Sequence, residues 1–281
     1  MNNILLIIAA LFYMACAAWA NLALARRQNG ASAILPALLA PGFAAHSAAL
    51  ILGWTAQGQF PVSGAGQVCS FIAWALAAWA LWLNFRYAIR APALSAFLTP
   101  LALLFSLASL VLPGPRQATT AWLSGAIDAS AITPFIFPVH VSLVLLAYAA
   151  FIVTFICSVM YLALEHELRN KHFGGAFQRL PSLGTCDELS HRALTIGFAM
   201  LTLGMLTGMI WNQQRVGHWW QNDPKEVFAL ATWLVYFAVI HYRLAAGWRG
   251  RRVALLGIAG FIITLLTWIG ARFMGGYHVF G

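Results

Sequence analysis

Residues 137–164 read FPVHVSLVLLAYAAFIVTFICSVMYLAL, a run with no Asp, Glu, Lys or Arg. About 20 apolar residues in a helix cross the ~30 Å hydrocarbon core of a bilayer. Lipid offers no partners to backbone polar groups, so a spanning run must be helical. Seven more predominantly apolar runs of spanning length lie near 3–24, 35–54, 67–86, 93–112, 192–212, 226–246 and 252–272. The whole chain is 62% hydrophobic and only 8% charged, where a soluble domain carries about 25% charged residues. Barrel-type alternation is absent, and no internal repeat of the transporter kind is found. The sequence therefore predicts an all-α polytopic membrane protein. It should be a bundle of about eight transmembrane helices forming a single integral-membrane domain over 1–281.

Charge sets the expected orientation. Arg26, Arg27, Arg86, Arg90, Arg169, Lys171, Arg179, Arg192, Arg243, Arg249, Arg251 and Arg252 fall on one side, 12 of the 16 basic residues. Arg116, Arg215, Lys225 and Arg272 fall on the other. The positive-inside rule places both termini outside, along with the segment 213–225. The net charge of +9 is thus a topology signal, and no basic patch has the aromatic interleaving of a nucleic-acid binder. Met1-Asn2-Asn3 lacks the basic start of a cleaved signal peptide, so the first run is expected to be a retained span. Of the cysteines, Cys16, Cys69 and Cys157 fall in spans and Cys186 in the inner loop 165–191. No CxxC or CxxCH pair occurs, which argues against a thiol shuttle or covalently attached haem on this chain.

The outer segment Trp219-Trp220-Gln221-Asn222-Asp223-Pro224-Lys225-Glu226 combines aromatic surface with mixed charge. Its second half reads as a helix start: Asp223 at the N-cap, Pro224 at the first helical position, Glu226 in capping-box register. Trp219 and Trp220 read either as an interfacial belt or as a stacking shelf for a flat ligand. Histidines supply the second signal. His140 and His278 flank this segment on the same face, and two neutral imidazoles can ligate a six-coordinate haem iron. Zinc is the rival for a histidine pair, but its structural sites usually take four donors, often cysteines, and none of the cysteines is expected outside. His46 lies deep in a span, where an ionisable group is a functional candidate or a neutral imidazole bonded to a neighbouring helix. His241 lies in the 226–246 span near its inner end. Lys225, Arg215 and Arg272 are candidates to meet haem propionates.

These residues resemble the cytochrome c assembly family of haem-handling membrane proteins, in particular its CcsA (ResC) type. That family carries an outer motif W-G-x-x-W-x-W-D-P-K-E. Here Val216-Gly217-His218-Trp219-Trp220-Gln221-Asn222-Asp223-Pro224-Lys225-Glu226 retains Gly217, Trp220 and Asp223 to Glu226. Val216 and Asn222 replace two tryptophans. Likeness continues through Leu180-Pro181-Ser182-Leu183, Asp187-Glu188-Leu189, Gly204 to Trp211, Ala229 to Tyr236, His241-Tyr242-Arg243 and Gly275-Gly276-Tyr277-His278. The specific similarity covers 134–281, the core region of the family. Gly247-Trp248-Arg249-Gly250-Arg251-Arg252 resembles a neighbouring HemX-like branch.

The resemblance implies that His140 and His278 ligate the iron of a b-type haem beside Trp219, Trp220, Asp223, Lys225 and Arg272. It implies that His241 belongs to a second haem site within the membrane, for which His46 is the candidate partner ligand. It also implies a CcsB (ResB) type membrane partner, an apocytochrome c with a CxxCH motif as acceptor, and a place in the bacterial inner membrane with the tryptophan-rich loop on the periplasmic side. The chain would then bind haem and deliver it outward for covalent attachment, as a component of a haem lyase. Two alternatives stay open: a HemX-like haem-binding or regulatory protein without lyase activity, and a b-type electron-transfer subunit.

Overall fold

A computed structural model describes residues 2–26, 34–58, 60–86, 91–112, 133–171 and 174–273. Among them every regular element is an α-helix. In chain order these are α1 (Asn2–Arg26), α2 (Ile34–Gln57), α3 (Ala65–Arg86), α4 (Ala91–Val111), α5 (Thr133–Arg169), the short α6 (Gly175–Arg179), α7 (Leu183–Val216), α8 (Pro224–Ala246) and α9 (Arg251–Phe273). Seven of them, α1 to α5, α7 and α8, are long and apolar enough over the described residues to cross a membrane. The eighth expected span, 252–272, is the 23-residue α9. The chain is an all-α, multi-pass membrane protein.

The helices extend further than hydropathy suggested. α5 has 37 residues and α7 has 34, or about 55 and 50 Å at 1.5 Å per residue, well beyond the hydrocarbon core. The inner loop expected at 165–191 shortens accordingly, and so does the 213–225 loop. Polar residues ended the hydrophobic runs without ending the helices, because backbone hydrogen bonds persist at the water interface. Pairs one turn apart cover the extensions: Arg169 lies 3.3 Å from Glu165, and Arg192 lies 2.5 Å from Glu188. Cys186, expected in a loop, is buried on the first turn of α7.

The chain divides into two compact units, one of Met1–Gly114 with Ala163–Ser182, the other of Pro115–Leu162 with Leu183–Gly281. In the first, α1 packs against α2 and α4, and α3 against α2 and α4. Its centre is polar where three helices meet: His46 is fully buried, with Nδ1 3.2 Å from the Tyr13 hydroxyl and Nε2 2.9 Å from Ser70 Oγ. Gly42, beside Pro41 in α2, admits α1 closely. A Cβ there would lie 2.7 Å from the Cβ of Phe12.

In the second unit α8 packs along α9, and α7 contacts both. Its core joins Ala147, Tyr148 and Phe151 of α5 to Leu194, Leu201, Tyr236, Val239 and Val253. The Phe151 and Tyr236 rings stand 4.0 Å apart, and glycines make room for both. A Cβ at Gly197 would come within 2.6 Å of Phe151, and one at Gly260 within 2.5 Å of Tyr236. At the arginine-rich end, Asp187 on α7 accepts two hydrogen bonds from the Arg243 guanidinium on α8, at 3.0 and 2.7 Å. It accepts a third from the backbone N–H of Gly250 at 3.1 Å. One carboxylate thereby ties α7 to both α8 and the start of α9.

Both side chains of that pair are largely shielded from solvent (10% and 16% exposed), so its hydrogen bonds are weakly screened. Asp187→Ala should cost about 2 kcal/mol. In detergent this will read as a melting midpoint lowered by several degrees, with Asp187→Asn intermediate because it keeps an acceptor for Gly250.

Candidate functional site

The candidate site lies at the tryptophan end of the second unit and is built on a glycine stripe. Gly204 and Gly208 are one turn apart on α7, so they share a face. With no side chains there, α5 approaches closely. A Cβ at Gly208 would sit 2.6 Å from Cε1 and 2.7 Å from Nδ1 of His140, and one at Gly204 would sit 2.8 Å from a methyl of Val144. The half-buried His140 ring is thus held against the bare backbone. Its Nδ1 lies 2.7 Å from the carbonyl oxygen of Gly204. A carbonyl can only accept, so Nδ1 carries the proton and the lone pair is on Nε2. That second bond fixes both ring orientation and tautomer, the usual state of an iron- or zinc-ligating histidine. Alongside, Phe137 packs on the buried Trp211 with ring centroids 5.1 Å apart, and Arg215 lies over the Trp211 ring at 5.1 Å.

α7 ends at Val216, and Gly217 follows with φ 76°, its N–H bonded to the Gln213 carbonyl at 3.0 Å. The left-handed conformation suits glycine, which has no Cβ to clash. The loop then runs to Asp223, where α8 begins with the predicted cap. Asp223 is buried, its carboxylate accepts from the Lys225 N–H at 2.8 Å, and Glu226 reaches back to complete the capping box. Glu226 also accepts from the Gln221 N–H at 2.9 Å. Asn222, in place of a motif tryptophan, takes φ 57°, a left-handed conformation that Asn tolerates better than most residues. Its side-chain oxygen accepts the Trp220 indole N–H at 2.8 Å. Trp220 is therefore oriented and half-buried, while Trp219 is 54% exposed. His218 is exposed and Lys225 half-buried.

Of the predicted residues, His140 and the Trp219 to Glu226 segment belong to this one end of the second unit. His278 and the rest of the tail motif lie outside the described residues, as does the Arg272 side chain. His241 is exposed on α8, its ring 6.0 Å from Phe237, which stacks on Trp233 at 5.2 Å. His46 belongs to the first unit, with both ring nitrogens within hydrogen-bonding distance of hydroxyls. Iron ligation by His46 would have to break one of those bonds. Among the described residues no three His, Cys, Asp or Glu side chains converge as a metal site. Sequence reasoning missed the glycine seat of His140 and two carboxamides, Asn212 and Gln221, whose side chains bond to each other across the loop. The four-residue glycine spacing was the available signal for the seat.

Comparison with known proteins gives a consistent result. A family model described as cytochrome C assembly protein matches residues 62–278. The chain is similar to the cytochrome c biogenesis protein CcsA of Prochlorococcus marinus (strain MIT 9303), 34% identical over 277 residues, covering 89% of this chain and 85% of the relative. It is similar to the CcsA protein of Synechococcus sp. (strain CC9605), 34% identical over 258 residues, covering 84% and 82%. A CcsA protein of Synechococcus sp. (strain CC9311) is 32% identical over 278 residues, covering 89% and 88%.

Asp223→Ala removes the cap of α8 and should cost about 1 kcal/mol. It also leaves the Lys225 N–H without its acceptor. Limited proteolysis should then cut faster within 217–223, and Asp223→Ser should restore protection by supplying another capping oxygen.

Proposed function

The chain belongs to the cytochrome c assembly family, and from that premise we propose that it binds haem b as cargo and delivers it to the outer membrane face for covalent attachment to apocytochrome c. Cytochrome c maturation is the process it serves. The carrying observation is the seating of His140, whose Nδ1–H is committed to the Gly204 carbonyl so that the lone pair is on Nε2. His278 is the proposed second axial ligand. The bilayer is that of the bacterial inner membrane, with the arginine-rich ends inward and the tryptophan loop periplasmic.

In this reading each residue has a limited task. His140 and His278 hold the iron and so set the plane and direction of the ring. Trp220, oriented by Asn222, and the exposed Trp219 give it flat apolar surface. Lys225, Arg215 and Arg272 supply positive charge for the propionates. Attachment adds a cysteine S–H of the apocytochrome CxxCH across a haem vinyl group, and no residue of this chain is needed as nucleophile. Holding one large reactant in a fixed pose removes much of the entropic barrier to joining it with another. A CcsB (ResB) type partner completes the lyase. On α8 the half-buried Trp233 leads in a ladder of rings to the exposed Phe237 and His241, which supports an inner haem station near His241.

The HemX-like reading, haem binding without lyase activity, is favoured by one feature. Trp248 stacks on Tyr242 at 4.5 Å with Arg252 5.4 Å above its ring, within the segment that resembles that branch. Electron transfer through His46 and His241 is disfavoured, because the His46 nitrogens already meet Tyr13 and Ser70.

Purified with its partner, the protein should show the absorption of a low-spin, bis-histidine b-type haem; a haem-free preparation would overturn the proposal. His140→Ala and His278→Ala should each lose that spectrum and partly regain it with added imidazole. Gly208→Leu, which keeps the imidazole but displaces it, should weaken haem retention by roughly 10-fold. Thioether formation on a co-expressed apocytochrome separates the two readings, since only the lyase reading predicts it.

A further inference from the structure

We propose that Asn212 anchors a carboxylate of the ligand held by His140, its side-chain amide donating to a propionate oxygen. The inference rests on the haem reading above and deepens it by naming the group that recognises the acidic edge of the porphyrin.

Asn212 is only 4% exposed. Its Oδ1 accepts a hydrogen bond from Gln221 Nε2, which fixes the carboxamide and turns Nδ2 the other way. That Nδ2 is buried and has no hydrogen-bond partner among the described residues. Buried amide donors are nearly always satisfied, and an orphan calls for a reason. A donor held in place by its own carbonyl end, yet lacking an acceptor, fits a site whose acceptor arrives with the ligand.

The placement agrees. Gly204, Gly208 and Asn212 recur every four residues and lie on one stripe of α7. The first two seat the His140 ring. Asn212 is one turn nearer the tryptophan loop, about 6 Å along the axis from Gly208. A porphyrin on His140 with its carboxylates toward the water-facing end would direct them to this level of the helix. An amide suits the task, because it donates to a carboxylate without carrying a charge into a dry site. The carboxylates already nearby are engaged: Asp223 accepts from the Lys225 N–H, and Glu226 from the Gln221 N–H. Gln221 covers Asn212 from a loop bounded by two left-handed residues, Gly217 and Asn222. That loop is the element whose movement would admit the carboxylate.

The test is titration of the purified full-length protein with two probes, iron protoporphyrin IX and its dimethyl ester, whose carboxylates are masked. Asn212→Leu should bind the free acid roughly 10-fold more weakly, the usual worth of a hydrogen bond to a charged group, and should bind the ester as the unaltered protein does. Asn212→Asp keeps the shape but opposes a carboxylate, and should weaken the free acid further while again sparing the ester. Unchanged affinity in both variants would overturn the anchor and leave Asn212 as the partner of a water. Equal loss for both porphyrins would overturn it too, by showing structural damage. If the unaltered protein binds neither porphyrin with a bis-histidine spectrum, the haem reading itself falls, and the anchor with it.

Discussion

The bond from His140 Nδ1 to the Gly204 carbonyl is the constraint on which the candidate site depends. It requires the Nδ1–Cε1 edge of the imidazole to press against helix backbone, which only a residue without a side chain at Gly208 allows. Close approach of α5 and α7 therefore sets the ring's position, its orientation and its tautomer together. A β-carbon at either glycine would push the helices apart and release all three. Without a hydrophobic driving force between spans, membrane helices rely on such small-residue contacts to pack. The same contact here both builds the unit and prepares the imidazole.

The opposite end of that unit is held by charge. Asp187 gathers two bonds from Arg243 and one from the Gly250 backbone. Neither partner is fully buried, which avoids the large desolvation cost of a charge sequestered in lipid. Glycine packing along the shared length and a forked ion pair at the interface thus divide the work. The candidate site then occupies the other end, where Gly217 and Asn222 mark the limits of a short loop.

Most of the fold was legible in the sequence, because hydropathy reports directly on which segments can enter lipid. Helix ends were not. Gln213-Gln214-Arg215 reads as a loop by polarity, yet the hydrogen-bond ladder runs through it to Val216. The cap at Asp223 was legible because capping is local chemistry within a few residues. His46 shows the opposite case. Its depth was evident, but its partners Tyr13 and Ser70 lie 33 and 24 residues away, and no local pattern announces them. Asn212 is alike: its burial depends on Gln221 folding back from across the loop.

The two lost tryptophans acquire a physical meaning from that loop. Asn222 takes the left-handed conformation and also holds the Trp220 indole by its N–H. Gln221 is tied at its backbone to Glu226 and at its side chain to Asn212. Directional hydrogen bonds therefore set the loop's shape, a task that aromatic bulk can also perform by packing. Stacking area is lost in the exchange, while the orientation of the remaining indole is specified more tightly. On the haem reading, a flat ligand in this chain would be gripped less by area and positioned more by polar contacts at its edge. That shift favours discrimination over strength, because a misplaced carboxylate leaves buried donors unpaired whereas a misplaced apolar face costs little.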